Sequence, residues 1–200
     1  MHWLVCQKLN KRGSLTLAHT DPPSPISPDS IVVHACNCLG SWVVGFPAAL
    51  MELYPGAYKV YQAYCAANNN HNNKPNELLP GRASSLIGSV LVIPPTAVDL
   101  AAVTAAPVFI VCLFASHGYG RRTRNNPGLD GTAMVKEASD TCLRQLPGIL
   151  QGLKGRDGGA MVVYSNKMLS GRFEVNWDWV EEQILEVLRG WQREWNILYG

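Results

Sequence analysis

Three short segments gather the groups that could do chemistry. The first, VHACNCLGSWVVGF at 33–46, runs from a β-branched stretch into His34, Cys36 and Asn37, turns at Gly40 and Ser41 beside Trp42, and opens a helix at Gly45. Backbone N–H groups at a helix start behind a glycine turn form a natural cradle for phosphate. The second, FASHGYGRR at 114–122, carries His117 and the pair Gly118 and Gly120 around Tyr119. The third, NKMLSGRFEVNW at 166–177, carries Ser170 and Gly171 and ends at Asn176, a residue type suited to cap the next helix. Any one of these glycine patterns is a weak signal. Their joint placement after strands is what points to an anionic ligand.

The side chains divide by what they offer. An imidazole titrates near neutrality, so His34 suits a proton acceptor or the orientation of a water. A strand-end histidine bonded to backbone reads equally well. His117 is a weaker candidate of the same kind. Asn37 is a buried amide at a strand end, which needs partners that a ligand can supply. Cys36 reads as a small wall residue rather than a nucleophile. Arg121, Arg122 and Arg124 read as solvated.

Positioning these loops requires alternating elements. Strands are expected at 14–18, 30–35, 86–93, 108–114, 160–164 and 195–199, and helices at 46–54, 57–67, 130–146 and 177–191. Strands alternating with helices imply an α/β sandwich with a largely parallel sheet, in which ligands collect beyond the strands' carboxyl ends. The apolar stretch 97–115 is just long enough to span a bilayer, but Pro94, Pro95 and Pro107 divide the region. Two buried strands with an Ala-rich connection fit it better.

Composition bounds the rest. The chain has 200 residues, 47% hydrophobic and 16% charged, which suits one domain and excludes a disordered polyampholyte. A net charge of +2 gives no basic footprint for nucleic acid. Six cysteines lie scattered among apolar runs with no secretory signal ahead of them, so reduced thiols in the cytoplasm or nucleus are expected. Cys36-x-Cys38 lacks the second ligand pair of a structural zinc site. No metal, no cofactor, no membrane contact and a monomer are the expectations.

Taken in order, HACNCLGSW with Gly45, LYPGAYKVYQAYC, GSVLVIPP, CLFASHGYGRR and SGRFEVNW resemble the macro domain, most closely its ADP-ribose 1″-phosphate phosphatase-like branch. The resemblance covers about 15–199. It implies a three-layer α/β/α sandwich with a central mixed sheet over 14–200, preceded by an extension at 1–13 and carrying an Asn-rich insertion near 66–82. It also implies binding of ADP-ribose and metal-independent hydrolysis of ADP-ribose 1″-phosphate to ADP-ribose and phosphate. Carried over by position, Asp21 would accept from the adenine amino group, while Ala35, Cys36 and Asn37 would face the distal ribose. Trp42, Val43, Val44, Gly45, Phe46 and Pro47 would form one phosphate loop. Leu169, Ser170, Gly171, Arg172, Phe173, Glu174 and Val175 would form the other, with Phe173 against the ribose. His34 and Asn37 would be catalytic.

The departures fall on the same loops. Val43 and Val44 stand where the resemblance expects glycine and a small residue, and Glu174 stands where it expects glycine. A carboxylate about 4 Å from a phosphate costs about 4 kcal/mol at an effective dielectric of 20, which Arg172 could offset. These changes favour an alternative, an ADP-ribose-binding module without turnover. A second alternative, an ADP-ribosyl-glutamate hydrolase, resembles a branch that uses a lysine and an aspartate, and Phe173 occupies the aspartate's approximate position.

Overall fold

The computed structural model describes residues 6–9, 15–18, 26–42, 44–69, 85–102, 106–189, 191 and 195–198. Seven strands form one sheet: β1 (Cys6–Leu9), β2 (Leu15–Ala18), β3 (Ser30–Asn37), β4 (Val90–Ile93), β5 (Val108–Ser116), β6 (Val163–Asn166) and β7 (Trp195–Leu198). Five helices accompany them: α1 (Phe46–Leu53), α2 (Pro55–Asn69), α3 (Ala97–Leu100), α4 (Thr132–Gly152) and α5 (Trp177–Val187). The spatial order is β2-β1-β7-β6-β3-β5-β4. β7, β6, β3 and β5 pair in parallel, whereas β4, β1 and β2 join antiparallel at the two sides. The sheet is therefore mixed.

Side-chain alternation along β3 and β5 builds the layers. Ile31, Val33 and Ala35 with Val111, Leu113 and Ala115 face one core, filled by Val135, Leu143, Leu146 and Leu150 of α4 and Val180 and Ile184 of α5. Val32 and Cys36 with Ile110, Cys112 and Phe114 face the other, filled by Leu50 of α1 and Ala57, Tyr61 and Cys65 of α2. Residues two apart on a strand share a face, so one strand serves both cores. The result is the expected α/β/α sandwich.

Several boundaries differ from the sequence reading. β1 lies inside the segment taken as an extension, hydrogen-bonded between β2 and β7, so the sheet reaches to Cys6. β3 and β5 each run two residues further, because Cys36, Asn37, Ala115 and Ser116 are as buried as the apolar residues before them. Residues 85–88 form a turn ahead of β4 rather than its start, held by the Ser89 hydroxyl donating to the Leu86 carbonyl at 2.6 Å. α4 passes through Pro147 to Gly152. Proline there removes one helix hydrogen bond, and full burial of Leu146 and Leu150 holds the last turns in place. Residues 70–84, most of the expected Asn-rich insertion, lie outside the described residues. Among the described residues, no helix is long and apolar enough to cross a membrane.

Asp99, the charged exception in the apolar stretch, has a structural purpose. α3 places its carboxylate, 5% exposed, at the start of α2, where it accepts from the N–H of Gly56 at 2.7 Å and of Ala57 at 2.9 Å. The Thr96 hydroxyl donates to it at 2.8 Å. A carboxylate at a helix N-terminus satisfies orphan donors and complements the dipole. Asp99→Ala leaves both amides buried without an acceptor, and is expected to lower the unfolding free energy by about 2 kcal/mol. Asp99→Asn should lose less. Chemical denaturation of the two variants against the parent chain checks the order.

Candidate functional site

Parallel pairing brings the carboxyl ends of β3, β6 and β7 to one edge of the sheet, where a cavity of about 530 Å³ opens. Its wall begins on β3 with His34, Ala35, Cys36 and Asn37, and continues through Ser41, Trp42, Val44 and the start of α1 at Gly45, Phe46 and Pro47. The facing wall is Asn166 to Phe173, with Tyr119, Gly120, Leu129 and Leu198 completing the enclosure. No carboxylate lines it among the described residues.

The first loop is braced from within. The Asn37 amide donates to the Ser41 carbonyl at 2.8 Å and accepts from the Leu39 N–H at 2.9 Å, while the Tyr61 hydroxyl donates to the Asn37 carbonyl. Asn37 thus holds the turn, and only part of its amide remains for a ligand. Gly45 then opens α1 with φ 66 and ψ −143, a conformation essentially reserved for glycine. Pro47, in the first turn of α1, removes an N–H that a helix start leaves unpaired anyway. Val44 lines the cavity with 43% of its surface exposed, so its branched side chain is not packed away beneath the cradle.

The second wall is a turn carrying two non-glycine residues at positive φ, Leu169 at 69 and Glu174 at 57. The Val175 N–H closes it on the Leu169 carbonyl at 3.0 Å, and the Glu174 N–H bonds the Gly171 carbonyl at 3.2 Å. The N–H groups of Gly171, Arg172 and Phe173 meet no acceptor among the described residues. Asn176 caps α5 as expected, accepting from the Asp178 N–H at 2.7 Å.

His34 is 1% exposed and lies between the cavity and the α2 side of the sheet. Trp42 meets it edge-on with centroids 4.8 Å apart, and Phe46 at 6.4 Å. Its remaining polar neighbours are sulfurs: Cys36 Sγ at 3.5 Å from either ring nitrogen and Cys112 Sγ at 3.7 Å from Nε2. Burial pushes the Cys36 thiol well above its ordinary pKa and the nearby Cys112 adds to this, while His34 pulls the other way. A protonated buried thiol is a poor nucleophile.

The 116–130 connection is pinned by Asp130. Its Oδ2 accepts from the Ser116 hydroxyl at 3.1 Å and the His117 N–H at 2.7 Å, and lies 2.8 Å from His117 Nδ1. His117 is therefore a brace that carries Tyr119 and Gly120 to the cavity, and it does not itself line the wall. A Cβ on Gly118 would lie 2.3 Å from Asn126 Oδ1, so this close approach requires glycine. Arg121, Arg122 and Arg124 are exposed and off the cavity wall.

Of the residues anticipated, two are not on the wall. Val175 is buried in the core behind the turn, and Glu174 is exposed. Its position favours glycine because of φ, and the expected clash of its carboxylate with a phosphate has no support in this geometry. Asp21 and Val43 lie outside the described residues. Ser41, Asn166, Lys167 and Met168 fall inside the loops singled out from sequence but had no individual role there, whereas Leu129 and Leu198 were missed. Leu198 joins the wall because the end of β7 lies at the same sheet edge as the end of β6. Two wall residues carry buried polar atoms without partners among the described residues, the donor Trp42 Nε1 and the acceptor Asn166 Oδ1.

No protein-family model matches the chain. An ADP-ribose 1″-phosphate phosphatase of Debaryomyces hansenii is 32% identical over 170 residues, covering 82% of this chain and 86% of the relative. The macrodomain of Mycobacterium tuberculosis DarG superposes with a TM-score of 0.56 at 14% identity, over 88% of this chain and 92% of that one. Thermosipho africanus DarTG, solved in complex with ADP-ribose, gives 0.56 at 12% identity over 84% of this chain and 37% of that one.

Gly45→Ala tests the first wall without a steric clash, since nothing lies within 4 Å of the added carbon. The backbone strain is expected to cost about 1–3 kcal/mol of unfolding free energy. Gly171→Ala, at an ordinary φ and equally open, should leave stability nearly unchanged. Equal stabilities in denaturant titration would contradict the assigned conformation.

Proposed function

The chain belongs to the family of ADP-ribose 1″-phosphate phosphatases and has the macro-domain fold, and on that premise we propose that its cavity binds ADP-ribose and hydrolyses the phosphate of ADP-ribose 1″-phosphate. One observation carries the reading. The glycine-specific opening of α1 at Gly45 and the unpaired N–H groups of Gly171, Arg172 and Phe173 stand on opposite walls of one cavity. Two main-chain half-cradles suit a diphosphate, which presents acceptor oxygens on both sides. Arg172 and Lys167 add positive charge on the same wall.

In the proposed step a water oxygen forms a bond to the 1″-phosphorus while the bond from phosphorus to the ribose oxygen breaks. His34 takes the water's proton, and the departing hydroxyl of ADP-ribose regains one from solvent. Phe173 packs against the distal ribose, and Asn37 positions the first loop. The cradles hold the reacting phosphate in place, and positioning with charge stabilisation supplies most of the rate. A phosphocysteine route through Cys36 is disfavoured, because burial keeps that sulfur protonated. Five described cysteines are free thiols, which supports a reducing compartment, cytoplasm or nucleus, and the proposed protein acts there as a monomer on a small-molecule ligand without nucleic acid.

A second reading, binding without turnover, is favoured by the absence of any carboxylate on the described wall, which leaves His34 as the sole side-chain base there. The same absence weighs against an ADP-ribosyl-glutamate hydrolase that relies on an aspartate. Calorimetry with ADP-ribose, ADP and AMP should rank ADP-ribose first, and the chain should release inorganic phosphate from ADP-ribose 1″-phosphate. His34→Gln is expected to lower kcat roughly hundredfold with ADP-ribose affinity retained. Binding with no phosphate release would leave the module reading standing and remove the enzymatic one.

A further inference from the structure

Beneath the cavity floor three soft donors meet on one face of the sheet. The parallel register sets His34 directly beside Cys112, and Cys36 follows His34 two residues on, so all three project toward α2. Their nearest ligand atoms, a ring nitrogen and two sulfurs, lie within 4.8 Å of one another, and all three residues are buried. Nε2 of His34 stands 3.5 Å from Cys36 Sγ and 3.7 Å from Cys112 Sγ. A tetrahedral zinc ion, with bonds of about 2.3 Å to sulfur and about 2.0 Å to nitrogen, spans a sulfur–nitrogen edge of about 3.6 Å. The spacing already matches that edge. Closing the site requires a turn of the imidazole about its Cβ–Cγ bond, to bring the Nε2 lone pair between the sulfurs. His34 and Cys36 also line the cavity, which gives a cation its way in and leaves a fourth position for water.

We propose that His34, Cys36 and Cys112 form a site for a thiophilic divalent cation of zinc's class, entered through the ligand cavity. On binding, each thiol passes its proton to solvent and each sulfur donates a pair to the metal. Neutral His34 donates through Nε2. The ion's charge offsets the burial that otherwise keeps Cys36 protonated. The sequence alone does not announce such a site, because His34-x-Cys36 on β3 supplies two ligands and the third comes from β5. The site does not require the phosphatase reading, but the two meet at His34. If that reading holds, the bound ion occupies the nitrogen used as proton acceptor, and zinc inhibits turnover.

Cobalt(II) titrated into the untagged, reduced full chain is expected to give sulfur-to-cobalt charge-transfer absorption at one equivalent, displaced by zinc. Cys112→Ala, a change off the cavity wall, should abolish the band. Cys142→Ala, at a thiol that donates instead to the Ser89 carbonyl, should retain it. Should Cys112→Ala fail to fold, X-ray absorption at the zinc edge of the parent chain decides, with two sulfurs and one nitrogen expected among the ligands. No charge-transfer band, a band that survives Cys112→Ala in the folded protein, or a shell of nitrogen and oxygen alone would overturn the site. Phosphate release that zinc suppresses in the parent but not in Cys112→Ala extends the proposal to inhibition. The band without phosphate release in metal-free buffer would sink the phosphatase reading and leave the metal site intact.

Discussion

The parallel hydrogen bonding of β3 between β5 and β6 is the constraint on which the site depends. It fixes where Asn37, Ser116 and Asn166 stop being strand, and so where three loops begin. It also sets His34 beside Cys112, deep under the floor. Buried parallel strands use their main-chain groups within the sheet. Past the last pair those groups need new acceptors or a ligand. In the first loop the Asn37 side chain, the Tyr61 hydroxyl and Asn69 absorb some of that demand internally. In the turn after β6 part of the demand is unmet, and that shortfall is what makes an anion welcome.

Of the three non-glycine residues at positive φ among the described residues, two lie in the turn of the second wall, and the third, Asp29, precedes β3. Gly45, Leu169 and Glu174 all adopt positive φ, and two of the three pay the Cβ penalty of the left-handed region. Leu169 offsets its share by burying its side chain in the core beside Val175. Glu174 has no such return, since its side chain is exposed. A glycine expected there by resemblance therefore reflects conformation more than room for a phosphate. The turn keeps its shape with glutamate because the Val175-to-Leu169 hydrogen bond closes it.

Much of the fold was legible because β3 and β5 are β-branched and uninterrupted and α5 is amphipathic with a capping Asn176. The sheet's outer strands were harder to read. β1 is a four-residue segment, CQKL, with no apolar alternation that sets it apart from a tail, and its pairing with β2 and β7 is what makes it a strand. Asp99 looked like an impurity in an apolar run, since its partners are amides more than forty residues away in sequence. Of the site, the glycines were readable from spacing, and Trp42 from the resemblance. Asn166, Lys167 and Met168 fell in the loop singled out at 166–177, although the strand before it was ended two residues early. Asn37 stands on the wall as expected, and its amide also braces the turn through Ser41 and Leu39.

Charge accounting shows why the site can tolerate its unusual side chains. A diphosphate brings negative charge into a cavity partly shielded from water, where one carboxylate about 4 Å away would cost about 4 kcal/mol at an effective dielectric of 20. The described wall carries no carboxylate, and it holds Lys167, Arg172 and main-chain donors. The chain's nearest candidate for such a penalty, Glu174, is exposed and does not line the wall. Asp130, the other acid of these loops, is engaged by Ser116 and His117 and does not line the wall. Under the proposed reading, recognition by backbone rather than by side chain accommodates a valine at the mouth and a glutamate in the turn. Neither needs to touch the anion, provided that the strands beneath keep the amides aimed inward.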